Sequence, residues 1–461
     1  MLEEINSGSI LSRREFVAAS AAVVSAAVLP SGAAMAQTPA KFRRMNISEP
    51  GFPMRVLDSY KKAITKMLAL PPTDPRNWYR HTLIHTLDCP HGNWWFLVWH
   101  RGYTGWFEQI CRELSEDPDF ALPYWDWTKE PKVPDAMFDD VLTPTNPTYK
   151  ATFADFKSTF QDAVAQADYW KLLPDGTPND QYNQLLARSI RFPDDLWFDI
   201  NDKNPAGGMF FDLAHARGLT RDKPQFSDDV TKKAVALPMI LDALGPRDFL
   251  TFASPKTLAH SSTTGFGVLE GQPHNKVHNN VGGVTVNIVN GQVQVTNVGG
   301  FMQAFLSPVD PLFFLHHANM DRLWDVWTRK QQGRAAPQGA SGAVTLPETL
   351  LNATGAEAPK LFAKVTVAFP PLTHPNDLAV VVGGETTTLS VFGHHRMLEP
   401  LTFTVPVSGP VKTLRANNQL AANAPLNIRV VQGTSVAPHA AAAVHGTQRK
   451  PEVLSITVEA H

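Results

Sequence analysis

The 461-residue sequence has few cysteines, no surplus of charge of either sign, and a single apolar run, which lies near its start. Two cysteines exclude a disulfide-stapled scaffold and any cysteine-rich zinc or iron–sulfur site. Lysine plus arginine number 41 and aspartate plus glutamate 43, and this balance argues against a nucleic-acid-binding protein. We therefore expect a globular protein of roughly two to four domains, with neither a nucleic acid nor a membrane as partner.

The first 36 residues have the composition of an export signal. An arginine pair at 13–14, followed by Phe16, precedes an Ala/Val-rich run, and an A-x-A triplet ends at Ala36. The arginine pair is typical of the twin-arginine pathway. We predict a cleaved signal peptide over residues 1–36 and an exported protein, periplasmic or secreted. An uncleaved segment or a chance match is the alternative.

Hydrophobic periodicity separates a helical region from a β-rich region in the rest of the chain. Spacing of three and four predicts helices over 55–69, 93–114 and 311–330, and residues 130–270 are typical of loops with short helices. Residues 331–345 are small and polar, which indicates a linker. Short β-branched runs follow, at 361–369, 378–382, 386–392, 401–407, 426–431 and 453–458. The sequence thus predicts a helical domain over 37–330, with a hairpin at 284–298, and a sandwich-like β-domain over 346–461.

Half of the 16 histidines lie in two stretches, 81–100 and 274–317. In the first stretch His85, His91 and His100 make one set of three imidazoles. In the second, His274 and His278 are four apart, so on a helix they share one face and can bind one metal. His316 or His317 completes the second set, and only one of these neighbours can point at the same ion.

The type of ligand limits the choice of metal ion. Non-haem iron oxygenases favour two histidines and a carboxylate, and di-iron bundles need glutamates. Six imidazoles with no carboxylate suit copper, and the same lack disfavours a zinc hydrolase. The sequence therefore predicts two copper ions, which together can supply two electrons to O₂.

The ordered motifs resemble those of the tyrosinase family, which comprises tyrosinases, catechol oxidases and molluscan haemocyanins with a type-3 dicopper site. Cys89-Pro-His91, His100 and the following Arg-Gly-Tyr resemble its copper-A pattern, and the YWDW segment at 124–127 matches as well. The stretches 274–278 and 310–322 resemble copper B. The resemblance covers roughly residues 45–330 and implies an antiparallel four-helix bundle with long loops. With the export signal and the C-terminal strands, the chain looks like an exported bacterial tyrosinase with a fused β-domain.

Carried over position by position, the resemblance assigns the six ligands. It implies His85, His91 and His100 at copper A, and His274, His278 and His317 at copper B. His316 then stands beside the ligands rather than among them. His81, four residues before His85, stays an alternative as the first copper-A ligand, or is a solvated or hydrogen-bonded helix residue.

Two further residues near the ligands, Cys89 and Asp321, have alternative roles. Cys89 resembles a family cysteine that forms a thioether with the copper-A histidine, here His91, and the alternative is a disulfide with Cys111. Asp321 is expected to hydrogen-bond a ligand imidazole, or to pair with Arg322 or Arg101.

The kind of activity depends on Glu270 and Asn275. In the family, residues at these positions hold a water that takes the phenol proton, whereas here they could simply start and cap a helix. Since a phenol has a pKa near 10, such a base favours monophenol hydroxylation, with Phe313 stacking on the phenol ring. The prediction is a tyrosinase acting on a small phenol with O₂. The alternatives are a catechol oxidase or o-aminophenol oxidase, and a haemocyanin-like oxygen-binding protein.

The C-terminal β-domain has no motif of its own. Modules of this kind often cover the active site in the family, so Phe392, or His394 and His395, is a candidate lid residue. The alternative is a structural or oligomerisation domain, and a homo-oligomer is compatible with the sequence.

Overall fold

A computed structural model describes most of the chain between residues 42 and 461. The described residues are 42–149, 156–198, 200, 216–255, 257, 264–289, 292–297, 299–331, 358–368, 378–391, 400–432, 434–435 and 451–461. The predicted signal peptide, the linker beyond residue 331 and the candidate lid residue Phe392 lie outside them, as do His394 and His395.

Helices dominate the chain before residue 332. In chain order they are α1 Met54–Ala69, α2 Trp78–Asp88, α3 Trp95–Ser115, α4 Phe156–Ala165, α5 Asp180–Ala187, α6 Pro193–Trp197, α7 Leu237–Ala243, α8 Phe249–Phe252, α9 Asn275–Val281 and α10 Leu312–Gln331. The three helices predicted from periodicity are confirmed, with ends that differ by no more than two residues. Among the described helices, none combines the length and the apolarity needed to cross a bilayer.

Local signals in the sequence explain where these helices begin and end. The side chain of Asn77 accepts a hydrogen bond from the Tyr79 amide and caps α2. Asp310 accepts one from the Leu312 amide at the start of α10. Helix α3 ends where Glu116 takes a left-handed conformation, with φ of 60°.

Helices α2, α3, α9 and α10 form the centre of the molecule and carry most of the clustered histidines. The rings of Phe107 on α3 and Phe314 on α10 stack, with interplanar angle 6°. Helix α1 covers α3, and its Tyr60 hydroxyl donates to the carbonyl of Pro311 just before α10. One buried apolar cluster runs through all of these helices, so the site residues stand on a rigid core.

Three of the described strands lie before residue 332, and the others lie in the C-terminal part. The strands are β1 Gly265–Phe266, β2 Val284–Val289, β3 Gln292–Asn297, β4 Leu361–Ala368, β5 Leu378–Val382, β6 Glu385–Thr388, β7 Leu401–Pro406, β8 Ile428–Gln432, β9 Thr434–Ser435 and β10 Glu452–Ala460. The sheet orders are β1-β7-β4-β10, β6-β5-β8 and β2-β3-β9. Side chains of the first two sheets share one apolar cluster, which is the packing of a sandwich. The predicted hairpin is present as the antiparallel pair β2–β3.

Two features of this part differ from the prediction. Residues 408–416 form a helix, α11 Ser408–Ala416, that the sequence did not suggest. The strand predicted over 386–392 ends at Thr388, because the chain then leaves the sheet and lies against α9. There the carbonyl of Ser390 accepts a hydrogen bond from the side-chain amide of Asn275.

The helical and β parts share secondary structure. Strand β1, from the helical part, pairs in parallel with β7, and β3 pairs in parallel with β9. The described residues just after β6 also contact α9, where Ser390 and Val391 accept hydrogen bonds from its asparagines.

Candidate metal centre

Two groups of buried side chains could each hold a metal ion. In each group, one potential ligand atom per residue lies within 4.8 Å of all the others. The first group is His85, Cys89, His91 and His100, and the second is His274, His278, His316 and His317. The groups adjoin, since the rings of His100 and His317 stack with centroids 4.2 Å apart.

The helices explain how residues far apart in sequence meet here. Helix α2 carries His85, the loop after it carries Cys89 and His91, and α3 carries His100. A π-helical turn, Glu270–His274, leads directly into α9, which carries His278. Helix α10 carries His316 and His317.

Four of the histidines form a hydrogen bond through Nδ1, which leaves Nε2 as the nitrogen available to a metal. In each, Nδ1 lies at hydrogen-bond distance from an oxygen, which fixes the proton there and leaves Nε2 with the lone pair a metal requires. The pairs are His85 with the Phe305 carbonyl at 2.7 Å, His100 with Phe96 at 2.7 Å, His278 with Met302 at 2.7 Å, and His274 with Asn275 Oδ1 at 2.8 Å.

The spacing within the second group fits one ion. Nε2 of His278 and Nε2 of His317 are 3.1 Å apart. Two imidazole nitrogens at about 2.0–2.1 Å from one metal, with a bond angle near a right angle, are separated by about 3 Å. The donor set and this distance fit a copper ion bound through nitrogen.

Burial keeps these imidazoles neutral, which is the form that binds metal. Desolvation lowers the pKa of His100 and of His278 to about 3. The same cause lowers the pKa of the other second-group histidines and of His85 well below the ordinary value.

His81 lies outside both groups. Its ring is fully buried, and it packs against Trp106, with centroids 4.8 Å apart, and against Tyr103 and Phe107. Because the ring is fully buried, the expectation of a solvated residue is wrong. The structure groups His85, not His81, with His91 and His100.

Cys89 lies against the histidines of the first group. Its Sγ is 3.5 Å from Nδ1 and 3.8 Å from Nε2 of His91, so it lies beside the ring edge that contains Cε1, and it is 3.3 Å from Nε2 of His100. Both cysteines are free, and Cys111 is packed in the core. The alternative of a Cys89–Cys111 disulfide is wrong.

Glu270 is fully buried and links the two groups. Oε1 accepts a hydrogen bond from the Gly92 amide at 2.8 Å, next to His91, and Oε2 accepts one from the Ser254 hydroxyl. Burial raises the pKa of Glu270 to about 8. The side chain of Asn275 spans His274 and the Ser390 carbonyl, to which its Nδ2 donates at 2.8 Å.

The structure places Phe313 between the two histidine groups and Asp321 beside two arginines. Phe313 is fully buried between the groups, with centroid distances of 4.2 Å to His317 and 5.0 Å to His85. Within the part of the chain that the structure describes, the Asp321 carboxylate pairs with arginines and not with an imidazole. Its carboxylate accepts hydrogen bonds from Arg44 at 2.9 Å and from Arg101 at 2.5 Å, so it ties α10 to α3, which was the alternative for this residue.

Sequence reasoning missed several contacts of the site. Trp127 Nε1 donates to Nδ1 of His316 at 3.1 Å. Lys276, between two histidines of the second group, is buried with Asp229 at 3.0 Å and also contacts the Thr388 hydroxyl. The YWDW motif marked Trp127 as a residue of interest in the sequence but did not indicate its contact with His316. Nothing in the sequence around Lys276 indicated its pairing with Asp229.

Comparisons with known proteins agree with this geometry. A sequence profile of the common central domain of tyrosinase matches residues 65–330. The (+)-larreatricin hydroxylase of Larrea tridentata is 27% identical in an alignment 289 residues long, which covers 59% of this chain and 38% of that protein. A polyphenol oxidase of Malus domestica is 26% identical over 285 residues, with the same coverage. The matched region thus spans well under half the length of these curated relatives.

The fold resembles that of solved structures over nearly the whole chain. A recombinantly expressed latent aurone synthase (polyphenol oxidase) superposes with a TM-score of 0.52 at 15% identity, covering 91% of this chain and 90% of that one. At this identity the likeness concerns the fold alone. It includes both the helical centre and the C-terminal β-sheet region.

Proposed function

The chain belongs to the tyrosinase family, and from this premise we propose that it is a type-3 copper phenol oxidase that hydroxylates monophenols at the ortho position and oxidises o-diphenols to o-quinones with O₂. The observation that carries the proposal is the pair of adjoining, buried histidine groups, which fit the two copper sites of the family. When bound, the copper pair supplies the binding and two-electron reduction of O₂.

The proposed ligands are the six histidines with the appropriate sequence pattern. They are His85, His91 and His100 for copper A, and His274, His278 and His317 for copper B. We also propose a thioether between Cys89 and Cε1 of His91, which would fix that imidazole. The position of the sulfur along the ring edge supports it.

Glu270 is the proposed acceptor of the phenol proton, through a water held with Asn275. A monophenol has a pKa near 10, so it is neutral at pH 7 and a poor copper ligand. Burial raises the pKa of Glu270 to about 8, so at pH 7 the ionised minority of this carboxyl is the proposed proton acceptor. Its higher basicity reduces the difference in pKa between the phenol and the acceptor. Phe313 is proposed to contact the phenol ring from its place between the groups.

One observation favours the second candidate, a catechol oxidase or o-aminophenol oxidase. Each Glu270 oxygen already accepts a hydrogen bond from the protein, and the Asn275 amide bridges His274 and Ser390. A water shared by the two residues must therefore use their remaining hydrogen-bonding capacity. An o-diphenol deprotonates more easily and chelates, so it depends less on such a water.

Oxygen uptake by the copper-loaded protein decides between the candidates. We expect two coppers per chain, and O₂ consumption with a simple monophenol as well as with its o-diphenol. Glu270→Gln should reduce monophenol turnover by about 10²–10⁴-fold, the usual contribution of a general base, and diphenol turnover much less. Consumption with the diphenol alone would make the protein a catechol oxidase. Reversible O₂ binding without turnover of either phenol would contradict an enzyme.

We further propose that residues 1–36 direct twin-arginine export and are removed after Ala36. The arginine pair at 13–14 and the A-x-A triplet support this. N-terminal sequencing of the exported protein should begin at Gln37. Replacing both arginines with lysine should retain the protein in the cytoplasm.

A further inference from the structure

The second histidine group contains one member more than a copper site needs. His316 and His317 are adjacent on α10, and each offers a ring nitrogen within the 4.8 Å set. Proximity therefore does not explain why one of them should bind the ion. Their hydrogen bonds, however, differ.

A hydrogen-bond donor contacts Nδ1 of His316, whereas a hydrogen-bond acceptor contacts Nδ1 of four other histidines in the two groups. Trp127 Nε1–H donates to Nδ1 of His316 at 3.1 Å, and both side chains are fully buried. An indole nitrogen can only donate, so Nδ1 of His316 must present its lone pair. The neutral imidazole then carries its proton on Nε2, which leaves no lone pair there for a metal.

The YWDW segment fixes this donor firmly against α10. The backbone amide of Trp125 donates to the carbonyl of Leu315 at 3.3 Å. Arg322, one turn beyond the histidines, lies 3.4 Å from the Asp126 carboxylate and stacks over the ring of Tyr124. Each residue of the motif thus contacts the helix that carries His316 and His317.

We propose that Trp127 selects the copper-B ligand: by holding His316 as the Nε2–H tautomer, it reserves the ion for His317. Trp127 is a positioning residue, which acts through His316 and not on the substrate. The inference rests on the proposed copper-B site, and it gives the YWDW motif a physical role.

The decisive experiment measures copper binding rather than activity. His317→Gln alone should lose copper-B affinity, because His316 cannot substitute in its held tautomer. With Trp127→Phe added, His316 can move its proton to Nδ1 and bind through Nε2. In His317→Gln alone, this change of tautomer would leave the buried indole N–H of Trp127 without an acceptor, and the Phe substitution removes that cost. We therefore expect the double variant to bind the second copper about ten- to a hundred-fold more tightly than His317→Gln.

Two controls separate this effect from general disruption. Trp125→Phe is a matched substitution, because Trp125 is equally buried and donates to the Glu130 carbonyl instead of to His316. Combined with His317→Gln it should restore nothing. Adding His316→Gln to the Trp127→Phe double variant should abolish the recovery.

A second measurement needs no copper. Long-range proton–nitrogen correlation spectra of the labelled metal-free protein distinguish the two histidine tautomers, and His316→Gln assigns the signal. We expect Nε2–H for His316 in the natural protein and a shift towards Nδ1–H in Trp127→Phe. Nδ1–H in the natural protein, or no recovery of affinity in the double variant, would overturn the inference. If the natural protein binds no copper, the proposed function fails, while the tautomer still reports on the role of Trp127.

Discussion

Glu270 shows how burial alone can give a side chain an unusual acidity. In the metal-free protein its pKa rises from an ordinary 4.5 to about 8, because the charged form is desolvated. The folded protein therefore holds a proton that the unfolded chain releases above pH 4.5. The corresponding stability is fully present below pH 4.5 and is lost as the pH rises through 8.

This acidity can be measured as stability. Between pH 5 and pH 9 the free energy of unfolding of the metal-free protein should fall by at most about 5 kcal/mol through this group. Glu270→Gln, which cannot ionise, should have a flatter profile in urea unfolding over the same range. Parallel profiles for the two proteins would contradict the assignment.

Cys89 allows a test of covalent chemistry at a single residue. Bond formation between its sulfur and Cε1 of His91 removes one hydrogen from each, with O₂ as the oxidant at the loaded copper site. The intact mass of the copper-loaded, air-exposed protein should therefore fall by two hydrogens after the metal is stripped. Cys89→Ser should abolish the change and Cys111→Ser should not, because Cys111 is packed in the core away from the histidines. An unchanged mass in the natural protein would contradict the thioether.

At the scale of an element, one buried ion pair fixes the helix that carries His316 and His317. Asp310 accepts hydrogen bonds from Arg217 Nε at 2.7 Å and from Arg217 Nη2, and it caps α10 through the Leu312 amide. Both side chains of the pair are at most 2% exposed. A buried guanidinium that loses its carboxylate is left without compensation for its desolvation.

Asp310→Asn should lower the free energy of unfolding by roughly 3–5 kcal/mol, as measured by urea denaturation of the metal-free protein. Asp325→Asn is the matched control on the same helix. Asp325 pairs with Arg329 on the surface, where its side chain is 56% exposed, so the change should stay within about 0.5 kcal/mol. Equal effects of the two substitutions would show that the buried pair does not anchor α10.

At the scale of the molecule, the helical and β parts depend on each other. Strand β1, from before residue 332, joins a C-terminal sheet beside β7, and the C-terminal β9 joins the β2–β3 hairpin. The segment after β6 contacts α9. A buried network joins Lys276, Asp229 and Thr388 across the same interface. These contacts make separate unfolding of the two parts costly.

Calorimetry of the natural protein should therefore show one cooperative transition instead of two. Thr388→Val leaves the buried lysine and aspartate without the hydroxyl and should destabilise the protein by about 1–3 kcal/mol. Thr413→Val, at an exposed position of α11, is the control and should have little effect. Two resolved transitions in the natural protein would show that the parts fold independently.

The elements that the sequence predicted well are those with local signals. Helices α1, α3 and α10 follow from apolar spacing, and β4, β5 and β7 from β-branched runs between turns. The strand predicted over 386–392 is too long because Leu389 and Val391 alternate with polar residues as strand residues do. In the structure, the Ser390 carbonyl between them accepts a hydrogen bond from the Asn275 side chain. A partner 115 positions away leaves no trace in that local pattern.

The sequence by itself determined the chemistry of the candidate site: six imidazoles at metal-binding spacing, with a glutamate and an asparagine beside them. Spacing of three or four on a helix is set by covalent geometry, so it can be deduced without the fold. Only the tertiary structure decided that Asp321 meets Arg44 and Arg101, and that burial alters the acidity of Glu270. Only it placed the indole of Trp127 on His316, 189 residues along the chain, because such a contact depends on how distant helices and loops pack.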